Sequence, residues 1–338
     1  MNRSEALILG VDTSCDETAA AVVADGRRVL SNVIASQVAI HERFGGVVPE
    51  LASRKHTEII TRIIERAMSE AGVGFDDLSA VAVTNRPGLV GALLVGVAAA
   101  KAVAYVHRLP LVAVHHVEGH VYANALVHDL PFPHVCLTVS GGHTALVRVA
   151  EGWRFRVLGS TVDDAVGEAY DKVAKLLGLG FPGGPRTDAL ASGFTGTPVA
   201  FPRPMEKSDD YRFSFSGLKT AVRYYVEGRE RVDLAAVAAG FQEAAVETLV
   251  AKTFRAAQAF GAKAVTLTGG VAANSRLRKR VAEEGGALGI PTFVPPFSLC
   301  ADNAAMIAGV GYLRWRRGEF ADLRLSVSAS APIEEAVS

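Results

Sequence analysis

What most constrains the fold of this chain is that it repeats its own design. Near the start, "ALILGVDTSCDETAAAVVADGRRVLSNVIAS" reads as three short strands: an apolar run stops at a Gly/Asp/Ser turn, a second strand follows, and "ADG" turns the chain into a third. The same layout returns at "HVCLTVSGGHTALVRVAEGWRFRVLGST". Aligning Thr18-Ala19 with Thr144-Ala145 also sets Gly26 against Gly152, an offset of 126 residues. Helical sequence comes after each hairpin, "HTEIITRIIERAMSEAG" and then "GEAYDKVAKLLGLG". Each half goes on to an apolar strand, "AVAVT" and "AVTLTGG", and a further helix. Two duplicated α/β lobes are expected, each presenting a polar β-turn to a cleft between them. That is the pattern of the actin-like, sugar-kinase and chaperone ATPase superfamily, a pair of ribonuclease-H-like lobes.

The lobe boundary is expected near "HRLPLVAV", so residues 1–110 form the N-terminal lobe and 111–307 the C-terminal one. The helix "NAAMIAGVGYLRWRRG" is expected to pack back on the first lobe, completing it over about 308–330, and 331–338 reads as a disordered tail. Lys+Arg and Asp+Glu balance at 35 each, so no global basic field announces a nucleic-acid partner. Local patches at Arg276 to Arg280 and Arg314 to Arg317 are either solvated helix faces or RNA contacts. Cys15, Cys136 and Cys300 are scattered with no C-x-x-C spacing, which argues against a disulfide scaffold or thiolate zinc. The first residues lack a signal-peptide core, and no apolar run of about 18 residues is free of Gly or charge. A cytoplasmic protein that makes no use of a membrane is expected.

Chemistry concentrates in two kinds of segment. In "AVHHVEGHVYAN", His116 and His120 stand four apart, on one face of a helix, where they either share a metal or are hydrogen-bonded in the interior. A zinc protease of the H-E-x-x-H type needs a glutamate directly after the first histidine; Val117 is there instead, and Glu118 projects off the metal-facing side. Asp302, in "LCADNAAMIAG", is either a third ligand or the cap of the last helix. The second kind is the glycine turn: "SGGHT", "FPGGP", "SFSGLKT" and "TGGVAAN" allow backbone N–H groups to approach an anion closely. Neither a P-loop nor a dinucleotide fingerprint occurs. Asp171 reads either as a carboxylate stabilising the first turn of a helix or as a ligand for a hydroxyl, and Asn274 as a helix cap or a ligand contact.

Taken in order, "GVDTSCDET", "HERFGGVVPELASRKH", "NRPGLVGALLVG", "HHVEGH", "VSGGHT", "GEAYDKVAKLLGLGFPGGP", "FSFSGLKTA", "TGGVAANSRLR" and "ADNAAMIA" resemble the TsaD-type tRNA N6-adenosine threonylcarbamoyltransferases. The resemblance runs from about residue 6 to residue 318. It implies an actin-like fold and transfer of threonylcarbamoyl from threonylcarbamoyl-AMP to N6 of the adenosine 3′ to the anticodon, in tRNAs reading codons that begin with A. It implies that His116, His120 and Asp302 hold one divalent metal, Fe2+ or Zn2+. It further implies that Val139, Ser140, Gly141, Gly142, His143, Asp171, Gly184, Asp188 and Asn274 bind the adenylate, as donor or as ATP or ADP with Mg2+. Expected partners are tRNA, a TsaB-like paralogue, a TsaE-like P-loop ATPase and, functionally, a threonylcarbamoyl-AMP synthase. Asp12 is the candidate for assisting proton loss from the amine, and it stands where the family usually has Glu. Arg86 replaces a glycine in the expected T-x-G-P-G-L turn, so that turn is expected to differ locally. A metalloprotease, a small-molecule kinase of the same fold and a non-catalytic scaffold are the rival readings.

Overall fold

The computed structural model describes residues 5–333. They form two compact lobes: one takes residues up to His128 together with Asp302–Ile333, the other Asp129–Ala301. In chain order the first lobe holds β1 (Leu7–Asp12), β2 (Glu17–Ala24), β3 (Arg28–Ser36), α1 (Val38–His41), α2 (Pro49–Ala71), β4 (Ala80–Arg86), α3 (Val90–Val106), β5 (Leu111–His115) and α4 (His116–Tyr122). The second holds β6 (His134–Val139), β7 (Thr144–Ala150), β8 (Arg154–Ser160), α5 (Val166–Leu176), α6 (Gly183–Ser192), α7 (Ser216–Glu227), α8 (Leu234–Ala259), β9 (Val265–Thr268), α9 (Ser275–Leu288) and β10 (Thr292–Phe293). The chain then returns to the first lobe as α10 (Ala304–Arg316).

The repeat seen in the sequence is a repeat of topology. The sheets run β3-β2-β1-β4-β5 and β10-β9-β6-β7-β8, the same order once β6 is matched to β1. In both, the hairpin strands are antiparallel and the strand after the long helical excursion joins in parallel. The hairpin alignment holds in the ladders: Asp12 pairs with Ala19 in one, and the matching Thr138 with Ala145 in the other. The second ladder carries one further pair, Val139 with Thr144, before its turn at residues 140–143.

The local chemistry accounts for the elements. Proline opens α2, where its missing N–H costs nothing, and Gly72 closes it in the left-handed region at φ 67°. Ile60, Ile64, Ala67 and Met68 recur at helical spacing and are the residues α2 buries against its sheet. Helix α8 is Ala-rich and buried on most of its circumference, with Asp233 capping it by accepting from Ala235 N and Ala236 N. It is long and apolar enough to cross a membrane by length and composition, though Gly240, Glu243 and Glu247 interrupt it, and here it is the packed spine of the second lobe.

Helix α10 lies on β1, β2 and β4. It can approach because glycines line the seam: a Cβ at Gly10 would come within 2.3 Å of the Ala304 carbonyl, and one at Gly311 within 2.4 Å of the Ala82 side chain. That approach carries the residues before α10 to the carboxyl end of β1.

The lobe boundary differs from the one expected. β5 pairs in parallel with β4, Val81 opposite Leu111 through Thr84 opposite Val114, and α4 packs on α10. Residues 111–128 therefore belong to the first lobe, and the chain re-enters it at Asp302. Of the expected disordered tail, 334–338 lie outside the described residues, while the Ala331 carbonyl accepts a hydrogen bond from His115 Nε2 at 3.1 Å. Arg86 ends β4 opposite His115, and the β4–β5 register shifts between Thr84 and Arg86, a local irregularity at the expected place. The tight approach falls two residues later, at Gly88, where a Cβ would meet the Ser14 carbonyl at 2.5 Å.

Candidate metal and adenylate sites

Three elements of the first lobe converge at the carboxyl ends of its parallel strands. His116 opens α4 directly after β5, His120 follows one turn later, and Asp302 precedes α10. Both imidazoles aim Nε2 at the same carboxylate oxygen, Asp302 Oδ1, at 3.4 Å from His116 and 3.1 Å from His120. The three donor atoms all lie within 4.8 Å of one another. Asp302 is not the cap of α10, since Asn303 accepts from Met306 N at 3.1 Å and takes that role.

The back of the site orients it. His116 Nδ1 lies 3.2 Å from Asp12 Oδ2 and 3.1 Å from Ser14 Oγ. An ionised carboxylate only accepts, so Nδ1 carries a proton towards Asp12, and Nε2, protonated towards Asp302 while no cation is bound, opens its lone pair there when that proton leaves. Carboxylate behind, imidazole between and an open nitrogen in front is the arrangement that fixes metal-binding histidines. Burial disfavours the charged form of His116, but Asp302 and Asp12 outweigh it and hold its pKa well above the usual value. Burial likewise opposes the Asp302 charge, and His116 and His120 overcome it to hold that carboxyl well below its ordinary range. A cation entering here replaces that proton as the partner of a buried carboxylate. Two nitrogens and one oxygen, buried and pre-oriented, fit a divalent first-row metal.

The neighbouring groups are committed elsewhere. His115 Nδ1 accepts from Val117 N at 3.2 Å and caps α4, and burial lowers its pKa to about 4. Glu118 is buried and receives both 2.8 and 3.1 Å bonds from the Arg314 guanidinium. It is therefore a structural ion pair and cannot serve as the base of a protease. Burial, then Asp16, pushes the Cys15 thiol up, which keeps it protonated. The role of His56 was not legible in the sequence, although its motif was. Its Nδ1 accepts from Thr18 Oγ1 at 2.7 Å and its Nε2 donates to the Cys15 carbonyl at 2.9 Å, clamping the turn that carries Asp12 and Ser14.

The residues expected to bind adenylate all fall in the second lobe and form a connected rim at the ends of β6 and β9. Ser140 N donates to the His143 carbonyl at 2.8 Å and Ser140 Oγ accepts from His143 N at 3.1 Å, which closes the turn around exposed Gly141 and Gly142. Gly167, in the first turn of α5, packs on Ser140 and Gly141. Val139 is backed by Gly269, where a Cβ would meet its carbonyl at 2.2 Å. Asp171 lies in the middle of α5, not in its first turn, so stabilising the helix dipole is not its role. Its Oδ1 accepts from Gly183 N at 2.7 Å, tying α5 to the start of α6 beside Gly184. Asp188 accepts from Ser275 N at 2.9 Å and Ser275 Oγ at 2.8 Å. Asn274 caps α9 through Leu277 N at 2.9 Å and donates to Gln242 Oε1 at 2.8 Å. The rim thus has an open glycine turn beside a helix start, a setting that suits an anion.

A duplicated β-sheet topology with polar turns at the strand ends defines the actin-like ATPase fold. Solved structures agree: component A of (R)-2-hydroxyglutaryl-CoA dehydratase from Acidaminococcus fermentans matches with a TM-score of 0.56 at 14% identity, over 92% of this chain and 98% of that one. HypF from T. kodakarensis matches with a TM-score of 0.65 at 13% identity, over 94% of this chain and 48% of that one. A family model described as "TsaD: tRNA N6-adenosine threonylcarbamoyltransferase" covers residues 28–309. Curated relatives bearing that name are 53% identical in Geobacillus thermodenitrificans, over 96% of both chains, and 52% identical in Bacillus cereus strain ATCC 14579, over 97% of both. The chain belongs to the TsaD family of tRNA N6-adenosine threonylcarbamoyltransferases, acyltransferases that act on tRNA.

Proposed function

We propose that this chain takes the threonylcarbamoyl group from threonylcarbamoyl-AMP and transfers it to N6 of the adenosine 3′ to the anticodon, in tRNAs reading codons that begin with A. His116, His120 and Asp302 are the ligands of one Fe2+ or Zn2+ ion, and the rim from Val139 to His143 with Asp171, Gly184, Asp188 and Asn274 receives the adenylate. The observation that carries this reading is the convergence of two imidazole nitrogens on one Asp302 oxygen, backed by Asp12. When bound, the metal supplies a Lewis acid for an acyl oxygen.

The donor is a mixed anhydride, so no activation is asked of the protein. The N6 amine attacks the carbamoyl carbon, the bond from that carbon to the phosphoryl oxygen breaks, and AMP leaves, the proton of the amine passing to its phosphate or to solvent. The chain's part is positioning and charge stabilisation. The N–H groups around Gly141 and Gly142, with the start of α5 beside them, suit the phosphate. Asp12 was the expected proton acceptor. Its Oδ1 accepts from Ser14 N at 3.0 Å and its Oδ2 faces His116, which supports a positioning role instead.

A TsaB-like paralogue, a TsaE-like ATPase and a separate threonylcarbamoyl-AMP synthase complete the proposed system, in the cytoplasm. The test is incubation with tRNA, ATP, threonine, bicarbonate and these partners, followed by nucleoside analysis and metal determination. The unaltered chain is expected to yield threonylcarbamoyladenosine, and the His116→Ala/His120→Ala variant to lose both product and bound metal. Full transfer by that variant without metal would overturn the ligand assignment.

A further inference from the structure

The two basic runs that stand out in the sequence are largely used up inside the protein. Arg276 makes a double bond pair with Glu243 at 2.7 Å each, and Arg278 donates to the carbonyls of Ala272 and Pro295. Arg280 meets Glu283 at 3.2 Å, and Arg314 is held by Glu118 and the Ala113 carbonyl. A different set of cations faces outward. In the second lobe, the seam between α5 and α7 is a groove of about 300 Å³ with Lys172 and Lys175 on one wall, Lys219 and Arg223 on the other, and half-exposed Leu176 among its lining.

The groove is built to hold its cations in place. Asp164 lies at one end and bridges the walls, accepting from Lys172 at 2.8 Å and Lys219 at 2.7 Å. Glu168 takes a further bond from Lys172, so the outward charge comes mainly from Lys175 and Arg223. Arg223 has only a long 3.9 Å contact with exposed Glu227, the kind of pair that contributes little. Beside it Tyr224 is 64% exposed, its ring 5.1 Å from the Arg223 guanidinium. Cations spaced along a groove with an exposed aromatic at the edge match a polyanion that carries stacking bases. Helix α5 also starts on Ser140 and Gly141, and Lys175 stands eight residues beyond Gly167, about 12 Å at the helical rise. A strand lying in the groove is therefore close to the glycine turn.

We propose that the α5–α7 groove, through Lys175, Arg223 and Tyr224, engages the phosphate backbone and a base of the tRNA substrate. This rests on the tRNA-transferase reading above and names the docking surface for it.

The test uses the folded chain in the complete transfer mixture. Lys175→Glu/Arg223→Glu is compared with the unaltered chain, with Lys175→Gln/Arg223→Gln as the milder pair and with Lys279→Glu as an exposed charge reversal outside the groove. Direct tRNA binding is followed across salt concentration, and KM and kcat are determined for tRNA and for the donor. The Glu pair is expected to weaken tRNA binding at least about 10-fold at low salt and to flatten the log affinity against log salt slope by about 1–2. The KM for tRNA rises to match, while kcat at saturating tRNA and the donor KM hold. The Gln pair shifts the same way by less, and Lys279→Glu does not shift. If the Glu pair misfolds by circular dichroism, the Gln pair decides. A folded variant with unchanged tRNA affinity and salt slope overturns the proposal, as does a defect confined to the donor KM. No modified nucleoside from the unaltered chain would instead strike at the transferase reading itself.

Discussion

The first turns of the two sheets occupy matching places in one topology and have become opposites. In the first lobe, the segment after the last β1–β2 pair buries Thr13, Ser14, Asp16 and Thr18, is locked by His56 and turns inward to orient His116. In the second, the turn is open: Gly141 and Gly142 are exposed and a Cβ at either would touch nothing within 4 Å. Duplication supplied the same strand end twice. Side-chain chemistry took one copy, which needs a carboxylate at a fixed distance from an imidazole. Backbone chemistry took the other, which needs accessible N–H groups and no side chains. The asymmetry shows why a chain with one repeated design can hold two unlike ligands.

The comparison breaks first at the metal. Removing both His116 and His120 should cost at least about 10³-fold in transfer, since no nitrogen donor is left. Metal content measured beside activity checks it, and the adenylate affinity of the second lobe should be retained. The next effect is on stability. In the ladder His134 opposes Val149 as Ile8 opposes Val23, so the second lobe has a titratable group where the first has an apolar one. Burial lowers its pKa to about 4, against a Nδ1 bond to the Pro131 carbonyl that raises it. Its folded form thus binds protons less readily than the unfolded chain. Its contribution is complete above about pH 6.5 and is lost as the pH falls towards 4, about 3 kcal/mol in all. Thermal melts from pH 7 to 4 should show that slope, and His134→Leu should flatten it.

Smaller effects sharpen the contrast between the turns. Asp12→Asn keeps shape but gives up the charge behind His116, and metal affinity should fall about 10–100-fold. If Asp12 acted on the amine alone, metal content would not change. Gly142→Val should weaken adenylate binding about 10-fold, leave the metal in place and alter stability by less than about 0.5 kcal/mol, because the added side chain meets no protein atom. Calorimetric titration with AMP beside a melting curve separates these outcomes.

The duplication was legible because strand alternation, turn glycines and helix periodicity are local signals. Motif order carried the family. The lobe boundary was not legible, because "HRLPLVAV" reads equally well as a linker or as a strand, and only the β4–β5 pairing settles which sheet takes it. Asp171 was assigned to a first turn although the helical stretch beginning at Gly167 already put it in the second, and α5 starts at Val166. The partners of Glu118, Asp302 and His115 lie far along the chain, at Arg314, His120 and Ala331. Sequence spacing carries no information about such pairs until a fold brings them together.

The return of the chain through Asp302 into α10 has a consequence for synthesis. The second lobe is one continuous stretch, Asp129–Ala301, whereas the first waits for Asp302–Ile333. Emerging from the ribosome, the lobe encoded first is finished last, since β1, β2 and β4 stay uncovered until α10 arrives. On the ligand set proposed above, His116 and His120 spend most of translation without the third donor. Asp302 is made only once nearly all of the protein exists, so the proposed metal site would be completed as a late step, after the continuous second lobe has been synthesised.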